Sequence, residues 1–138
     1  MFKKLRKNEK GFTLAELLEQ VAIIGVLVAI SIPIFTSQLE KAREAVDAAN
    51  IRAAYAEVAS AALTQNDSKI CSKAITMKQK QKDWQSDIDF TAELKDTEKD
   101  IVKTSVPTTV YVTYDAGTDG AAGTFKVVTA NTGYTEVD

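Results

Sequence analysis

Two carboxylates lie near the start of a long apolar run, where an ionised side chain is costly. Glu16 and Glu19 stand one helical turn apart within residues 11–35, and Gln20 follows them. A carboxylate inserted into hydrocarbon costs about 2.5 kcal/mol or more, so it needs a cation or a hydrogen-bond donor as a partner. The chemistry that these residues offer is therefore recognition of a charged or polar partner inside an apolar environment.

The sequence lacks the residues on which most enzyme reactions depend. It contains no histidine, which removes the commonest general base and the commonest transition-metal ligand. Its one cysteine, Cys71, allows no intrachain disulfide and is interpreted as an ordinary loop cysteine. There is no nucleophile–base pair, phosphate-binding loop or metal-ligand cluster, and residues 115–120 have the wrong spacing for an EF-hand calcium loop and favour a hairpin turn. We therefore expect no enzyme activity, no cofactor and no small-molecule substrate.

The charge distribution gives the apolar run a direction in a membrane. Residues 1–11 carry five lysine or arginine side chains and one glutamate, a charge of +4, which leaves −6 for the rest of a chain whose net charge is −2. Positive residues beside a membrane span stay on the cytoplasmic side. We therefore expect the N-terminus inside the cell and the bulk of the chain outside.

A single long helix is predicted for residues 12–65. Residues 12–35 would extend about 36 Å as a helix, which is enough to cross a bilayer. Residues 36–65 continue with ten alanines between Ala42 and Ala62, and alanine is the strongest helix former. Spacings of three and four predict an apolar stripe at Leu39, Ala42, Val46, Ala49 and Ala53, which Tyr55, Val58, Ala62 and Leu63 broaden towards its end. The opposite, solvent-facing side is expected to carry Glu40, Lys41, Arg43, Glu44 and Asp47.

Near the C-terminal end of the sequence, the spacing of apolar side chains changes to every second residue. Residues 106–115 are rich in β-branched and aromatic side chains, and Val110, Val112 and Tyr114 alternate with Tyr111 and Thr113, which predicts a strand. Residues 124–130 are predicted to be its partner across a glycine-rich turn at 116–123. Residues 133–138 fit a short third strand, and residues 66–105 are expected to be a connecting region with one short helix or strand. An antiparallel sheet with one apolar face needs a cover. The predicted fold class is therefore α+β, a long N-terminal helix packed on a small C-terminal antiparallel sheet.

The connecting region separates its charges along the chain. Residues 83–100 carry seven acidic side chains against two lysines, and the preceding stretch is basic at Lys69, Lys73, Lys78, Lys80 and Lys82. These lysines could meet the phosphates of nucleic acid or an acidic patch on a second copy of the chain. A solvated loop is the default interpretation, because surface ion pairs contribute little.

The N-terminal residues resemble a known processing signal. The stretch "KGFTLAELL" at 10–18, followed by "AIIGVLVAISIP" at 22–33, is similar to the class III signal of type IV pilins and pseudopilins. The resemblance implies that a prepilin peptidase cuts between Gly11 and Phe12 and methylates the new N-terminus of Phe12. It also implies the family's fold, a long helix on a sheet. The implied partners are further copies of the chain, the pilus assembly platform and minor pilins.

The resemblance assigns roles to three more positions. Glu16 matches the family's near-invariant fifth residue of the mature chain, whose partner would be the positive N-terminus of a neighbouring subunit, here the Phe12 amine. Apolar packing alone does not fix how far one subunit is shifted along the next. One buried charge fixes this register, because the charge must lie beside its one partner. Gly25 and Pro33 match the family's helix-softening residues. Because glycine costs about 1 kcal/mol relative to alanine in a helix and proline lacks an N–H, we expect the helix to bend or melt locally between them when subunits pack.

Glu19 and Gln20 depart from the family pattern, which has larger apolar residues at these positions. Both share a helical face with Glu16. They either lie near the membrane interface without a special role or form a polar patch buried in the filament. In such a patch Gln20 would donate a hydrogen bond to Glu16, and one of the two carboxylates would stay protonated because like charges repel. The sequence leaves both interpretations open.

The domain organisation and the expected function follow from these assignments. Residues 1–11 are expected to be a cleaved basic leader, residues 12–35 the transmembrane and filament-core half of the helix, and residues 36–138 the globular domain.

The expected function is that of a structural subunit of a type IV pilus. The subunit would be stored in the cytoplasmic membrane and then form part of an extracellular filament for adhesion, twitching motility or DNA uptake. One alternative is a pseudopilin or minor pilin of a type II secretion or competence machine, which shares the motif. Another is a secreted binding domain whose conventional signal is cut near residues 29–31, leaving Ile32 first.

Overall fold

The chain divides into two compact units. They are Met1–Gln38, here called unit 1, and Leu39–Asp138, here called unit 2. The structure is a computed structural model that describes residues 13–88, 105–118 and 122–138.

The helix α1 spans Leu14–Thr64 and is 51 residues long. Its second half is rich in alanine, which favours the helix over any other local structure. It ends just before the polar residues 66–68, and the Thr64 hydroxyl donates a hydrogen bond to the Ser60 carbonyl at 3.1 Å in the last turn. The predicted helix end at residue 65 is therefore confirmed to within one residue.

In the described part of unit 2, five short strands form a sheet. They are β1 (Lys69–Cys71), β2 (Ile75–Thr76), β3 (Thr109–Asp115), β4 (Thr124–Val128) and β5 (Thr135–Glu136). The strand β4 pairs with one edge of β3, and β1 and β2 pair one after the other with the opposite edge, all antiparallel. The strand β5 is added to β1 in parallel.

The α+β fold class is confirmed, but the sheet is mixed rather than wholly antiparallel. The predicted strands at 106–115, 124–130 and 133–138 contain β3, β4 and β5. Residues 129–134 join β4 to β5 on opposite sides of β3, and Gly133 takes a positive φ of 86° there. The direction of β5 could not be predicted, because a two-residue strand carries no pattern that distinguishes parallel from antiparallel pairing.

Ser72 extends the pairing along β3 between β1 and β2. Its backbone N–H donates to the Val112 carbonyl at 2.8 Å, and its hydroxyl oxygen accepts from the Val112 N–H at 3.0 Å. The hydroxyl also donates to the Lys73 carbonyl at 2.9 Å. A side chain thus replaces a backbone carbonyl where the strand edge is interrupted.

The core of unit 2 lies between one face of α1 and the sheet. Side chains that are at most 2% exposed come from the helix at Ile51 and Val58, from β1 at Ile70, and from β3 at Val110 and Val112. Full burial of an aliphatic side chain of this size contributes about 1.5–3 kcal/mol. These contacts therefore hold residues 39–64 of the helix on the sheet.

The helix face that packs on the sheet differs from the predicted stripe over residues 39–53, whereas Val58 is buried as predicted and Tyr55 and Ala62 pack against the core. Leu39 and Val46 are 39% and 49% exposed, and the three alanines predicted between and after them are exposed as well. The buried residues of α1 are Glu40, Glu44, Asp47, Ala48, Ile51, Ala54, Val58 and Ala61. The prediction is wrong for residues 39–53 because alanines occur on every side of this segment, and because the carboxylates were assigned to solvent by residue type alone.

The described residues of 66–105 contain the strands β1 and β2, where a connecting region with one short helix or strand was expected. The interpretation of Cys71 as a loop cysteine is wrong, because Cys71 lies in β1 with its side chain fully buried. Burial raises the pKa of the Cys71 thiol. The acidic residues of the sequence from Asp89 to Asp100, and part of the predicted turn at 119–121, lie outside the described residues.

Candidate functional site

The candidate assembly segment is the part of α1 that belongs to unit 1. Its first described residue is Thr13. The predicted cleavage position at Gly11 and the predicted methylation position at Phe12 lie outside the described residues, so both stay predictions.

Thr13 and Glu16 form a capping box at the start of α1. The Thr13 hydroxyl oxygen accepts a hydrogen bond from the Glu16 backbone N–H at 3.3 Å, and the Glu16 Oε2 atom accepts from the Thr13 N–H at 3.4 Å. These reciprocal bonds satisfy N–H groups that a helix N-terminus otherwise leaves without an intrahelical partner. Glu16 thus has a local structural role in its own chain, which the sequence interpretation missed although the T-x-x-E spacing signals it.

Glu19 and Gln20 are exposed, as is Glu16. They follow Glu16 by three and four residues on one helical face, as expected from their spacing. Within the described residues, no hydrogen bond joins Gln20 to Glu16, whose carboxylate is bonded to Thr13 instead. The polar patch predicted for a filament stays a prediction, since it requires neighbouring subunits.

The described part of unit 1 exposes its apolar side chains throughout. Thirteen large apolar residues between Leu14 and Phe35 are 48–76% exposed. Monomeric soluble proteins rarely expose contiguous apolar patches beyond a few hundred Å², and larger ones mark sites of membrane or protein interaction. This surface therefore requires lipid or another protein as its cover.

One helix among the described residues, α1, is long and apolar enough to cross a membrane. The apolar window that meets this criterion is wholly exposed, which distinguishes it from the core helix of a soluble domain. A signal sequence near an N-terminus meets the same criterion. Length and composition thus permit membrane anchoring through unit 1.

The helix continues through Gly25 and Pro33 without a break. Nothing lies within 4 Å of the position that a Cβ atom on Gly25 would occupy, so no contact within the single chain requires glycine there. Beside the proline, the Thr36 hydroxyl donates to the Pro33 carbonyl at 3.0 Å and the Ser31 hydroxyl donates to the Leu27 carbonyl at 2.7 Å. The predicted bend concerns packed subunits and stays a prediction.

A second feature, in unit 2, is a set of three helix carboxylates that hold a loop. Each carboxylate accepts hydrogen bonds from two consecutive backbone N–H groups at 2.5–2.9 Å. The pairs are Glu40 with Lys80 and Gln81, Glu44 with Gln85 and Ser86, and Asp47 with Lys78 and Gln79. We call this arrangement the carboxylate clasp.

The clasp buries three acidic residues that the sequence analysis assigned to the solvent-facing side of the helix. Glu40, Glu44 and Asp47 are 2%, 0% and 0% exposed. Burial of an ionised carboxylate is costly unless the group is hydrogen-bonded, and here each receives charge-assisted bonds, which are about twice as strong as neutral ones. The described residues contain no cluster of acidic, cysteine or histidine side chains arranged to hold a metal ion. The arrangement therefore fixes the backbone of residues 78–86 against the helix.

The surroundings shift the pKa values of two clasp residues in opposite directions. Burial pushes the pKa of Glu40 upward, but the N–H groups of Gln81 and Lys80, together with the Arg43 guanidinium 3.2 Å away, hold it below its ordinary value. Burial raises the pKa of Asp47, and its two N–H partners offset this only in part. The hydrogen bonds and the nearby guanidinium therefore outweigh the effect of burial on the pKa of Glu40, whereas burial prevails at Asp47.

Comparison with known proteins identifies no relative of this chain. No protein-family model, no curated protein and no solved structure matches it. The features of the chain that bear on function are the N-terminal motif and the exposed half of α1.

Proposed function

We propose that this chain is the structural subunit of a type IV pilus-like filament. The observation that carries the proposal is the exposed, apolar first half of α1, in which every described residue up to Gln38 is exposed. The motif at 10–18, which resembles a prepilin processing signal, supports it. A segment of this kind serves as a membrane anchor first and as the core of a polymer afterwards.

The basic leader and the apolar segment act in sequence in this proposal. Before processing, residues 12–35 cross the cytoplasmic membrane, and the +4 charge of residues 1–11 keeps the N-terminus inside. Cleavage after Gly11 removes that charge and creates a new N-terminus at Phe12. The apolar surface can then leave the lipid by packing against the same surface of other copies.

Glu16 gives the polymer its register by exchanging one partner for another. In the single chain its carboxylate accepts a bond from the neutral Thr13 N–H at 3.4 Å. In the filament the methylated Phe12 ammonium of a neighbouring subunit replaces that donor, and a bond between two ionised groups is stronger than one to a neutral donor. A subunit that slid along the core would leave the carboxylate unpaired in apolar surroundings, which is the costly state.

The mature N-terminus tests the proposal directly. The chain is produced with a prepilin peptidase, purified from membranes and sequenced by mass spectrometry. N-methylphenylalanine at position 12 is the expected result, and Gly11→Val, which puts a branched side chain beside the cut bond, should keep Met1. A mature chain that begins at Ile32, or a wild-type chain that is left uncut, would refute the proposal.

Electron microscopy of the producing cells distinguishes a pilus subunit from a pseudopilin or minor pilin. Abundant surface filaments made of this chain are expected for a pilus subunit. A processed chain that yields no such filaments would place the protein among the pseudopilins or minor pilins.

A further inference from the structure

A groove lies beside the C-terminal end of α1, within unit 2. Its volume is about 540 Å³, and its walls include the last turns of the helix, Lys73 and the two residues that follow β5. Ligand pockets in proteins commonly have volumes of this order. We call it the helix-end groove.

The charged and polar groups of the helix-end groove are mainly acceptors of hydrogen bonds. The carboxylates of Glu57 and Asp138 line it, against the one ammonium group of Lys73. Within the described residues, none of these three groups takes part in a salt bridge. Gln65 also lines the groove, and its Oε1 atom is buried without a hydrogen-bond partner. The wall of the groove thus holds unpaired acceptors and an excess of negative charge.

The end of α1 adds partial negative charge to this groove. The last four carbonyl groups of a helix lack intrahelical N–H partners, and they make its C-terminus favourable for a cation. Ser60 and Thr64, near the helix end, line the groove, and the last turn of α1 contains no basic residue. The groove therefore fits a group that is positively charged and donates hydrogen bonds, such as the ammonium group of a lysine.

Two lysines with these properties lie on the loop that the clasp holds. Lys80 and Lys82 are exposed, and in the part of the chain that the structure describes neither takes part in a salt bridge. Glu40 accepts a hydrogen bond from the backbone N–H of Lys80, and Glu44 accepts one from that of Gln85. The backbone that carries both lysines is thus already ordered, which lowers the entropic cost of binding them.

These lysines cannot reach the helix-end groove of their own chain. Ala56 is the first helix residue that lines the groove, and it follows Glu40 by 56 − 40 = 16 residues in α1. Sixteen residues of helix cover about 24 Å, and the twelve residues from Glu44 to Ala56 cover about 18 Å. The four-carbon stem of a lysine side chain is much shorter than either distance. A contact between the lysines and the groove therefore requires two copies of the chain.

We propose that Lys80 and Lys82 of one copy bind in the helix-end groove of a second copy. This inference rests on the proposed function, in which copies of the chain polymerise. The contact joins two different surfaces of unit 2, so each copy binds one neighbour through its lysines and another through its groove. A heterologous contact of this kind repeats along an open helical polymer when its rotation does not close a ring.

Charge favours this head-to-tail contact over a symmetric one. A two-fold contact of lysines with lysines, or of one groove with another, would bring like charges together, which opposes association. The head-to-tail contact brings ammonium donors to carboxylate and carbonyl acceptors instead. Asp83 and Asp87 are exposed acids of the same loop, and a symmetric contact of two loops through them is the alternative that the experiment separates.

The test measures self-association of the full chain by sedimentation velocity in detergent, which covers the apolar half of α1. The lysine variant K80Q/K82Q keeps the groove, and the groove variant E57Q/D138N keeps the lysines. The two variants are measured separately and as a 1:1 mixture.

Two control variants remove the same charge from exposed residues of unit 2 outside the proposed contact. They are K69Q/K126Q for the lysines and D83N/D87N for the acids. Both should associate like wild type, because neither changes the two surfaces that meet.

Wild type is expected to form larger species as its concentration rises. This association should weaken between 0.1 and 1 M salt, where the Debye length shortens from about 10 to about 3 Å. Each variant alone should lose about ten-fold or more in its association constant. The mixture should associate again, but as dimers that do not extend, because one copy provides the lysines and the other provides the groove.

Association of either variant alone at the level of wild type, or a mixture that does not associate, would overturn the proposal. Loss of association in D83N/D87N would assign the loop to a symmetric contact instead. Binding of N-acetyl-lysinamide to a wild-type chain that does not self-associate would assign the groove to a small cation. A chain that associates as expected but is not cut after Gly11 would refute the proposed function and leave this contact standing.

Discussion

The Glu44 Oε1 atom lies 2.7 Å from the backbone nitrogen of Gln85, forty-one residues further along the chain. Buried backbone N–H groups must find acceptors, and none of the strands that the structure describes pairs with residues 78–86. Helix carboxylates provide the acceptors instead. The polar face of α1 between residues 40 and 47 is thus part of the interior of unit 2, continuous with the apolar face that begins at Ala48.

Removal of one clasp carboxylate should destabilise unit 2. In Glu44→Gln one amide N–H group would face the N–H of Gln85 or Ser86, so a buried donor loses its acceptor, at a cost of about 1–3 kcal/mol. Urea unfolding of the full chain in detergent, followed by Trp84 fluorescence, measures the difference. Glu57→Gln, an exposed position on the same helix, should change the free energy of unfolding by no more than about 0.5 kcal/mol. Equal effects of the two substitutions would contradict the role of the clasp.

The opposite pKa shifts of Glu40 and Asp47 predict opposite pH dependences. The pKa of Glu40 is lowered by folding, so the stability linked to its charge is present above its ordinary pKa of 4.5 and is lost as the pH falls. The difference in stability between wild type and Glu40→Gln should therefore shrink on acidification from neutral pH. The pKa of Asp47 is raised, so the linked stability is lost as the pH rises, and the cost of Asp47→Asn should shrink towards neutral pH. Unfolding curves across the acid range measure both slopes, and slopes of the same sign would show that the assignment of the shifts is wrong.

The sequence was sufficient to predict the elements that have a strong helix propensity or a regular alternation of side chains. The helix end near residue 65 and the pairing of β3 with β4 followed from helix propensity and from two-residue alternation. The strands β1, β2 and β5 are two or three residues long, which is too short for a period, and their pairing depends on contacts with β3 and β1 that are distant in sequence.

The clasp could not be predicted because it depends on partners outside its own helix. Glutamate and aspartate are rarely buried unless paired, so a pattern read by residue type places them in solvent. One signal was available: the spacing of Ile51, Ala54, Val58 and Ala61 continues backwards through Asp47, Glu44 and Glu40 on the same face. The capping box likewise has a sequence signal, at Thr13 and Glu16, which the membrane interpretation of the segment obscured.

Ser72→Ala should destabilise the middle of β3 locally. The substitution removes the hydroxyl that accepts the Val112 N–H, and a buried donor without an acceptor costs about 1–3 kcal/mol. Amide hydrogen exchange at Val112 should accelerate, because the free energy of local opening decreases at this point. Ser60→Ala, at an exposed helix position, is the control, and unchanged protection of Val112 in Ser72→Ala would exclude the proposed role of the hydroxyl.

Gly123→Ala should disturb the aromatic cluster beside β4. A Cβ atom at position 123 would overlap the Tyr114 ring, which lies 4.9 Å from the Phe125 ring between centroids. Overpacking of this kind costs about 1–3 kcal/mol. A double-mutant cycle with Tyr114→Leu should show coupling of about 0.5–3 kcal/mol, since the smaller side chain leaves room for the methyl group. Additive effects would mean that the ring is not the obstacle.

The two roles of Glu16, as a helix cap and as a charge that sets register, can be separated by two substitutions. Glutamine at the third helical position completes a capping box as glutamate does, so Glu16→Gln keeps the bond to the Thr13 N–H and loses only the charge. Glu16→Ala loses both. If the charge pairs with the Phe12 ammonium of a neighbour, both variants should be processed and methylated like wild type, because the cut lies outside this contact, and both should fail to form filaments. Mass spectrometry of the mature N-terminus and electron microscopy of the cells measure the two steps separately. Normal filaments from Glu16→Gln together with defective filaments from Glu16→Ala would assign the requirement to the helix cap, since a neutral amide cannot provide the ion pair.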